Sequence, residues 1–244
     1  MDNRNIIVEG HRGWCARYPE NTLASYKAAI ELGVDAFEFD VHLTRDGVPV
    51  IMHDGNAYRT CGVDRLLSDM TLKEVKQLDA GRKFSPEFEG ERVPTLRETL
   101  ELARSLSDTI RLGVEIKDYT EETVDKTVPL LKEYGFFDGC WFYAFNARIL
   151  KYIKQRYNGR TMGYPDFQMR EFEPDSYDYY DEIGISMNVV RSEVYGVYAN
   201  KGKPVHIYCA DDEETVEFAL SRDPAPTLVT ANDPPALMKR LGRL

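Results

Sequence analysis

The sequence predicts an α/β fold, a (β/α)8 TIM-type barrel over residues 1–244 as one domain, with a small insertion after its third strand at about 55–94. Three observations predict it. A chain of 244 residues has the usual size of a single barrel domain. From Thr95 onward, short apolar runs alternate with helix-length segments, the pattern of parallel strands joined by crossover helices. Imidazole and charged side chains recur at the C-terminal ends of those runs, where a barrel gathers residues on one face. A doubly wound open sheet is the competing architecture. It usually carries a glycine-rich phosphate loop after its first strand, and HRGWCARYPE stands there instead.

The elements follow in order. Run 5–10 (NIIVEG) is a strand leading into His11-Arg12-Gly13. Asn21 reads as the N-cap of a helix over 22–32 that buries Leu23, Tyr26, Ala29 and Ile30 and stops at Gly33. Strand 35–41, a tight turn at Asp46-Gly47 and strand 48–53 come next, with no room for a helix between the strands. Residues 55–94 are loop-like except for a capping box, Thr71 to Glu74, that opens a short helix to Asp79; they hold too little apolar surface for a core of their own. A second capping box, Thr95 to Glu98, opens a helix to about 106. Strand 111–117, helix 120–134, strand 140–145, a helix capped by Asn146 and strand 161–164 succeed it. The acidic, tyrosine-rich stretch 166–181 is a surface loop. Strand 183–188, helix 190–201, strand 204–209, helix 212–221 with an acidic first turn, strand 227–231 and a terminal helix complete the chain. That makes nine strands for a fold of eight, and 161–164 or 183–188 is the one to discount.

Composition excludes several function classes. A net charge of −10 and a pI of about 5.0 lack the basic footprint of nucleic-acid binding and disfavour adsorption to anionic membranes. No apolar run is long enough to span a membrane, and the N-terminus has no signal-peptide core. The four cysteines are widely spaced, which predicts reduced thiols and a cytoplasmic setting. Cys140 and Cys209 read as core thiols, and Cys15 as accessible.

The chemistry lies on the strand ends. Glu38 and Asp40 alternate in a strand, so they project together while Phe37 and Phe39 take the other face. Paired carboxylates are tolerated around a cation, and hard oxygen donors suit Mg²⁺ or Ca²⁺ better than Zn²⁺. Glu115 and Lys117 repeat the spacing. Glu38, Asp40 and Glu115 would thus hold one divalent cation, Arg12 and Lys117 would neutralise a phosphate, and His11 and His53 would serve as acid and base. These parts suit phosphodiester cleavage. His42 reads as a loop residue and His206 as a satisfied structural histidine. Asp54 would either orient His53 or bind a substrate hydroxyl.

The pattern HRG…PENT…E-x-D-V…T-x-DG-x-x-V…HD, with the later G-x-R-V-P-T-L-x-E and VEIK, resembles the glycerophosphodiester phosphodiesterases over about two-thirds of the chain. The resemblance implies a barrel, a divalent metal, and hydrolysis of a small-molecule glycerophosphodiester to glycerol 3-phosphate and an alcohol. By motif position it implies Glu38, Asp40 and Glu115 as metal ligands, His11 and His53 as the acid–base pair, Arg12 and Lys117 on phosphate, and Glu20 and Asn21, which open the first helix, as also shaping the metal-site face. The last third departs from it. YCAD, Tyr208 to Asp211, replaces a W-T-V-N-like strand end, and the final T-D-x-P survives only as TANDPP. Tyr208 would stack on a glycerol moiety or else pack as a core tyrosine. Lysophospholipase D-type action on lysolipids and a non-catalytic phosphate-binding relative are the alternatives.

Overall fold

The computed structural model describes residues 6–244. Residue 5, read as the start of the first strand, lies outside them. Eight parallel strands form a closed ring: β1 (Ile7–Gly10), β2 (Ala36–Leu43), β4 (Arg111–Ile116), β5 (Trp141–Tyr143), β6 (Thr161–Gly163), β7 (Glu182–Ser186), β8 (Val205–Tyr208) and β9 (Leu228–Ala231). β1 pairs with β2 on one side and with β9 on the other, which closes the barrel. The extra strand is β3 (Pro49–Ile51), antiparallel to the far end of β2, and not one of the two that sequence reasoning would discount. β1 pairs only with Ala36 and Phe37 of β2. Beyond that point the β1 side of β2 is open, and β3 occupies it by pairing with Val41, His42 and Leu43. Runs 161–164 and 183–188 both supply ring strands.

α1 (Leu23–Leu32) starts at Thr22, whose side chain accepts from the Ser25 N–H, and stops at Gly33, where φ is 94°. Thr22, not Asn21, is therefore the cap. Phe37 stacks on Tyr26 of α1 with ring centroids 4.6 Å apart, and Phe39 meets the same ring edge-on. This outward packing turns Glu38 and Asp40 into the barrel, as the alternation requires.

The insertion carries α2 (Tyr58–Cys61) and α3 (Leu72–Val75). It shares an apolar cluster with the strand before it, in which Leu67, Met70, Val75, Leu78 and Val93 are buried with Val50 and Met52. The cluster forms because it borrows Val50 from β3 and Met52 just beyond it, apolar area that the insertion's own sequence does not hold.

α4 (Leu96–Leu106), α5 (Glu121–Glu133) and α6 (Ala147–Tyr157) cover the outside as their apolar stripes predict. Asn146 caps α6 by accepting from Ile149 N–H. The helix expected over 190–201 is two short ones, α7 (Met187–Val190) and α8 (Tyr195–Ala199). α9 (Glu213–Leu220) and α10 (Pro235–Arg240) complete the shell. No helix among the described residues is long and apolar enough to cross a membrane.

Candidate active site

The turn after β1 aims the first side chains. Gly13 has φ 87°, and a Cβ there would meet Ser25 Oγ at 2.4 Å, so only glycine fits. Ser25 donates to Arg12 O at 2.9 Å, and Arg12 N–H donates to Glu38 Oε2 at 3.0 Å. The turn is thereby fastened to α1 and to β2 at once.

Glu38, Asp40 and Glu115 come together from β2 and β4, all buried, with one carboxylate oxygen from each within 4.8 Å of the others. The strand register explains it, since Asp40 lies opposite Glu115. Lys117 bridges them from just past the strand end, 2.8 Å from Glu115 Oε1 and 3.5 Å from Asp40 Oδ1. Arg12 Nε stands 3.5 Å from Asp40 Oδ2. Two oxygens, Glu38 Oε1 and Asp40 Oδ1, are buried without a hydrogen-bond donor among the described residues. Burial and the charges of Asp40 and Glu115 push Glu38 well up, and burial with Asp40 lifts Glu115 to about 7. Burial also opposes ionisation of Asp40, but Lys117 and Arg12 outweigh it and hold that carboxyl below its usual range. Three carboxyls crowd one buried spot, and the mutual repulsion that raises Glu38 and Glu115 is what a bound cation would relieve. Oxygen donors, orphaned lone pairs and that repulsion together fit a hard divalent cation.

His11 and His53 flank this cluster. His11 Nε2 is 3.9 Å from Glu38 Oε2, and burial, then Arg12, lowers its pKa to about 4. His53 is one-third exposed and shifted down by burial, against the pull of Asp40. Its Nδ1 lies 2.6 Å from Asp54 Oδ1, so of the two readings of Asp54 the orienting one has the contact. All eight side chains singled out from the sequence thus stand at or beside one mouth of the barrel. Tyr208 lines the same cavity, edge-on to Tyr164, which stacks on Phe145 with centroids 3.9 Å apart.

Glu20 and Asn21 shape the carboxylate face, as the resemblance implies, and several other residues at the site were missed or misread. Asn21 has φ 58°, a conformation asparagine tolerates, and its amide donates to Asp40 Oδ2 at 2.7 Å while accepting from the Tyr26 hydroxyl at 2.8 Å. Glu20 takes Arg12 Nη1 at 3.0 Å and both Nη atoms of Arg59. His42 is not a loop residue: it lies within β2, bonds Asp118 through Nδ1 and stands 3.2 Å from His53 O through Nε2, which braces the backbone of that histidine. Cys209 is not a core thiol, for it is partly exposed with Sγ 3.7 Å from His11 Nδ1. Glu9, buried inside the barrel, accepts from the Tyr143 and Thr230 hydroxyls and lines the cavity floor. His206 pairs with Glu182 through Nε2, but it is not the satisfied histidine expected, for its Nδ1 is buried without a partner among the described residues and the ring lines the cavity. The acidic residue two places before His11 in the first strand was the signal for Glu9. A motif of strand-end residues does not reach it.

Comparison with known proteins agrees with this fold. A glycerophosphodiester phosphodiesterase of Caldanaerobacter subterraneus subsp. tengcongensis is 40% identical over 153 residues, covering 61% of this chain and 62% of that protein, so the alignment spans less than two-thirds of the relative. A phosphodiesterase from Oleispira antarctica, solved in complex with its product sn-glycerol-3-phosphate, superposes with a TM-score of 0.83 at 27% identity over 97% of this chain and 96% of that one. A glycerophosphodiester phosphodiesterase from Agrobacterium tumefaciens has the same fold, with a TM-score of 0.80 at 23% identity over 96% of this chain and 99% of that one. The sequence model of the glycerophosphoryl diester phosphodiesterase family matches residues 11–225, a span that opens on His11 and takes in every residue of the carboxylate cluster. By that match the chain belongs to the glycerophosphoryl diester phosphodiesterase family.

Proposed function

We propose that the protein is a divalent-metal-dependent enzyme that hydrolyses small glycerophosphodiesters to glycerol 3-phosphate and an alcohol, working as one domain in which residues 55–94 are an insertion. The observation that carries the reading is the cluster of Glu38, Asp40 and Glu115, buried with orphaned oxygens and flanked by Arg12, Lys117 and two histidines. Glu38, Asp40 and Glu115 would hold one Mg²⁺ or Ca²⁺. Bound there, the cation supplies positive charge for the phosphoryl oxygen and for an attacking oxygen. Arg12, held in place by Glu20 and Asp40, and Lys117 present their donors to the phosphate. One histidine takes a proton from the attacking water and the other gives a proton to the departing alcohol, so the new P–O bond forms as the old one breaks. The aromatic wall of Tyr164, Phe145 and Tyr208 offers an apolar surface to the organic part of the diester. Four free cysteines support a reducing compartment, the cytoplasm.

The test is release of glycerol 3-phosphate from glycerophosphocholine by purified protein, with and without EDTA. Turnover that EDTA abolishes and Mg²⁺ or Ca²⁺ restores is the expected result, with loss of turnover in folded His53→Ala and Glu38→Ala proteins. Turnover of lysophosphatidylcholine alone would move the assignment to lysolipids. Binding of glycerol 3-phosphate with no turnover of either would remove the enzymatic reading.

A further inference from the structure

Asn232 meets His11 across the seam between β1 and β9, with Oδ1 2.7 Å from His11 Nδ1. The end of the amide that faces the ring is decided one step further out. Asp211 Oδ1 accepts the backbone N–H groups of Asn232 at 2.5 Å and Asp233 at 3.2 Å, and Asp211 Oδ2 lies 2.7 Å from the Asn232 side-chain nitrogen. A carboxylate only accepts, so the amide turns its NH2 to Asp211 and its oxygen to His11. The Cys15 thiol donates to the same oxygen at 3.2 Å, which again calls for an acceptor there. Facing that acceptor, Nδ1 carries the proton, and a neutral ring then keeps its lone pair on Nε2. Nε2 is the nitrogen on the carboxylate side, nearest Glu38. Cys209 Sγ, 3.7 Å from Nδ1, adds at most a weak second acceptor.

We propose that Asp211 and Asn232 are positioning residues that hold His11 in its Nδ1–H tautomer, so that Nε2 enters the reaction as a proton acceptor. This rests on the reading of His11 as half of the acid–base pair and goes beyond it by assigning the starting role. Asp211 and Asn232 stand behind the ring, outside the cavity lining, and act through His11. His53 differs in kind: its Nδ1 faces the Asp54 carboxylate and not a neutral amide, and no such relay through an amide stands behind it. Asp211 and Asn232 both lie in the two stretches where the sequence departs from the family pattern, YCAD and TANDPP.

The relay makes a directional prediction. In Asp211→Asn the new amide still has to offer its oxygen to the two backbone N–H groups, so its nitrogen turns to Asn232. The Asn232 amide then flips, presents NH2 to His11 and drives the proton to Nε2. The double exchange Asp211→Asn/Asn232→Asp restores an acceptor opposite Nδ1 and a donor opposite the new carboxylate. Imidazole ¹⁵N NMR of the full chain reports which nitrogen is protonated, and kinetics on glycerophosphocholine report the consequence. At a pH high enough to keep the ring neutral, wild type and the double exchange are expected to show the Nδ1–H signature and Asp211→Asn the Nε2–H signature. The single variant should lose kcat by roughly 100-fold or more with KM within about threefold, and the double exchange should recover most of the loss. A folded Asp211→Asn protein that keeps the Nδ1–H signature, or a folded double exchange that shows Nε2–H, overturns the proposal. If Asp211→Asn does not fold, Asn232→Leu takes its place: a mixture of both tautomers supports the relay, and an unchanged Nδ1–H signature overturns it. The nitrogen signature needs no turnover, so the expected signatures in an inactive wild-type protein support the relay and count against the hydrolase reading alone.

Discussion

Arg59 grips Glu20 with two prongs, Nη1 on Oε2 and Nη2 on Oε1, each at 2.7 Å. Arg59 Nε also reaches Asp54 Oδ2 at 2.6 Å, and Asp54 in turn holds His53. A single insertion residue therefore braces the partner of Arg12 and the partner of His53 together. Burial works against ionisation of Asp54, yet the bonds from Arg59 and His53 bring its carboxyl down to about 2. We expect Arg59→Met to lower kcat by about tenfold while leaving the melting temperature nearly unchanged, because the side chain is half exposed. Unaltered kcat at saturating metal would show that the brace is idle.

Glu38→Gln and Glu115→Gln should separate stability from cation binding. Each replaces a buried carboxyl whose ionisation is opposed by burial and by its acidic neighbours, so in EDTA the variants are expected to melt at or above the wild-type temperature. Adding Mg²⁺ or Ca²⁺ should raise the wild-type melting temperature and leave the variants unmoved. Differential scanning fluorimetry with and without metal decides it, and variants that gain as much as wild type would remove these residues from the cation site.

The same cluster sets a pH dependence. In the metal-free protein Glu115 titrates at about 7, against 4.5 for a free side chain, chiefly through burial and the Asp40 charge. Between those values the native state binds more protons than the unfolded chain, so stability falls as pH rises. The contribution is whole below pH 4.5 and gone above about 7. Urea unfolding in EDTA should show wild type losing ground to Glu115→Gln across this window. A gap between the two that stays constant with pH would contradict the assignment.

Gly113 in β4 lies where the barrel interior is tightest. A Cβ added there would stand 2.5 Å from Glu9 Oε1, 2.6 Å from Tyr143 and 3.1 Å from the Glu38 Cβ. Gly113→Ala should destabilise the fold by about 1–3 kcal/mol by overpacking. Because the clash also touches Glu38, metal affinity measured by calorimetry should weaken with it, and retention of both properties would mean that the interior yields more than its packing implies.

Much of the site was readable because its parts recur at strand ends within 11–117, where alternation and short spacing tie neighbours together. Glu38 and Asp40 could be placed on one face from their spacing alone, and the packing of Phe37 and Phe39 on Tyr26 bears that out. What escaped was long-range or ambiguous in chemistry. The partner of His11 lies 221 residues away. Asn21 looks like a helix cap because capping and carboxylate-binding use the same amide. β3 resembles a ring strand in composition, and only pairing reveals that it runs antiparallel outside the ring. β5 and β6, at three residues each, are too short for periodicity to rank them.

The ring is sealed where β1 meets β9, and the hydrogen bond that orients His11 crosses that seal. During synthesis the three clustered carboxylates and their two cationic neighbours emerge from the ribosome in the first half of the chain, but the imidazole has nothing to lean on until the last strand arrives. A translation product cut short before residue 228 would have open edges at β1 and β8 and an unanchored histidine. Ring closure and the arming of that side chain are one event.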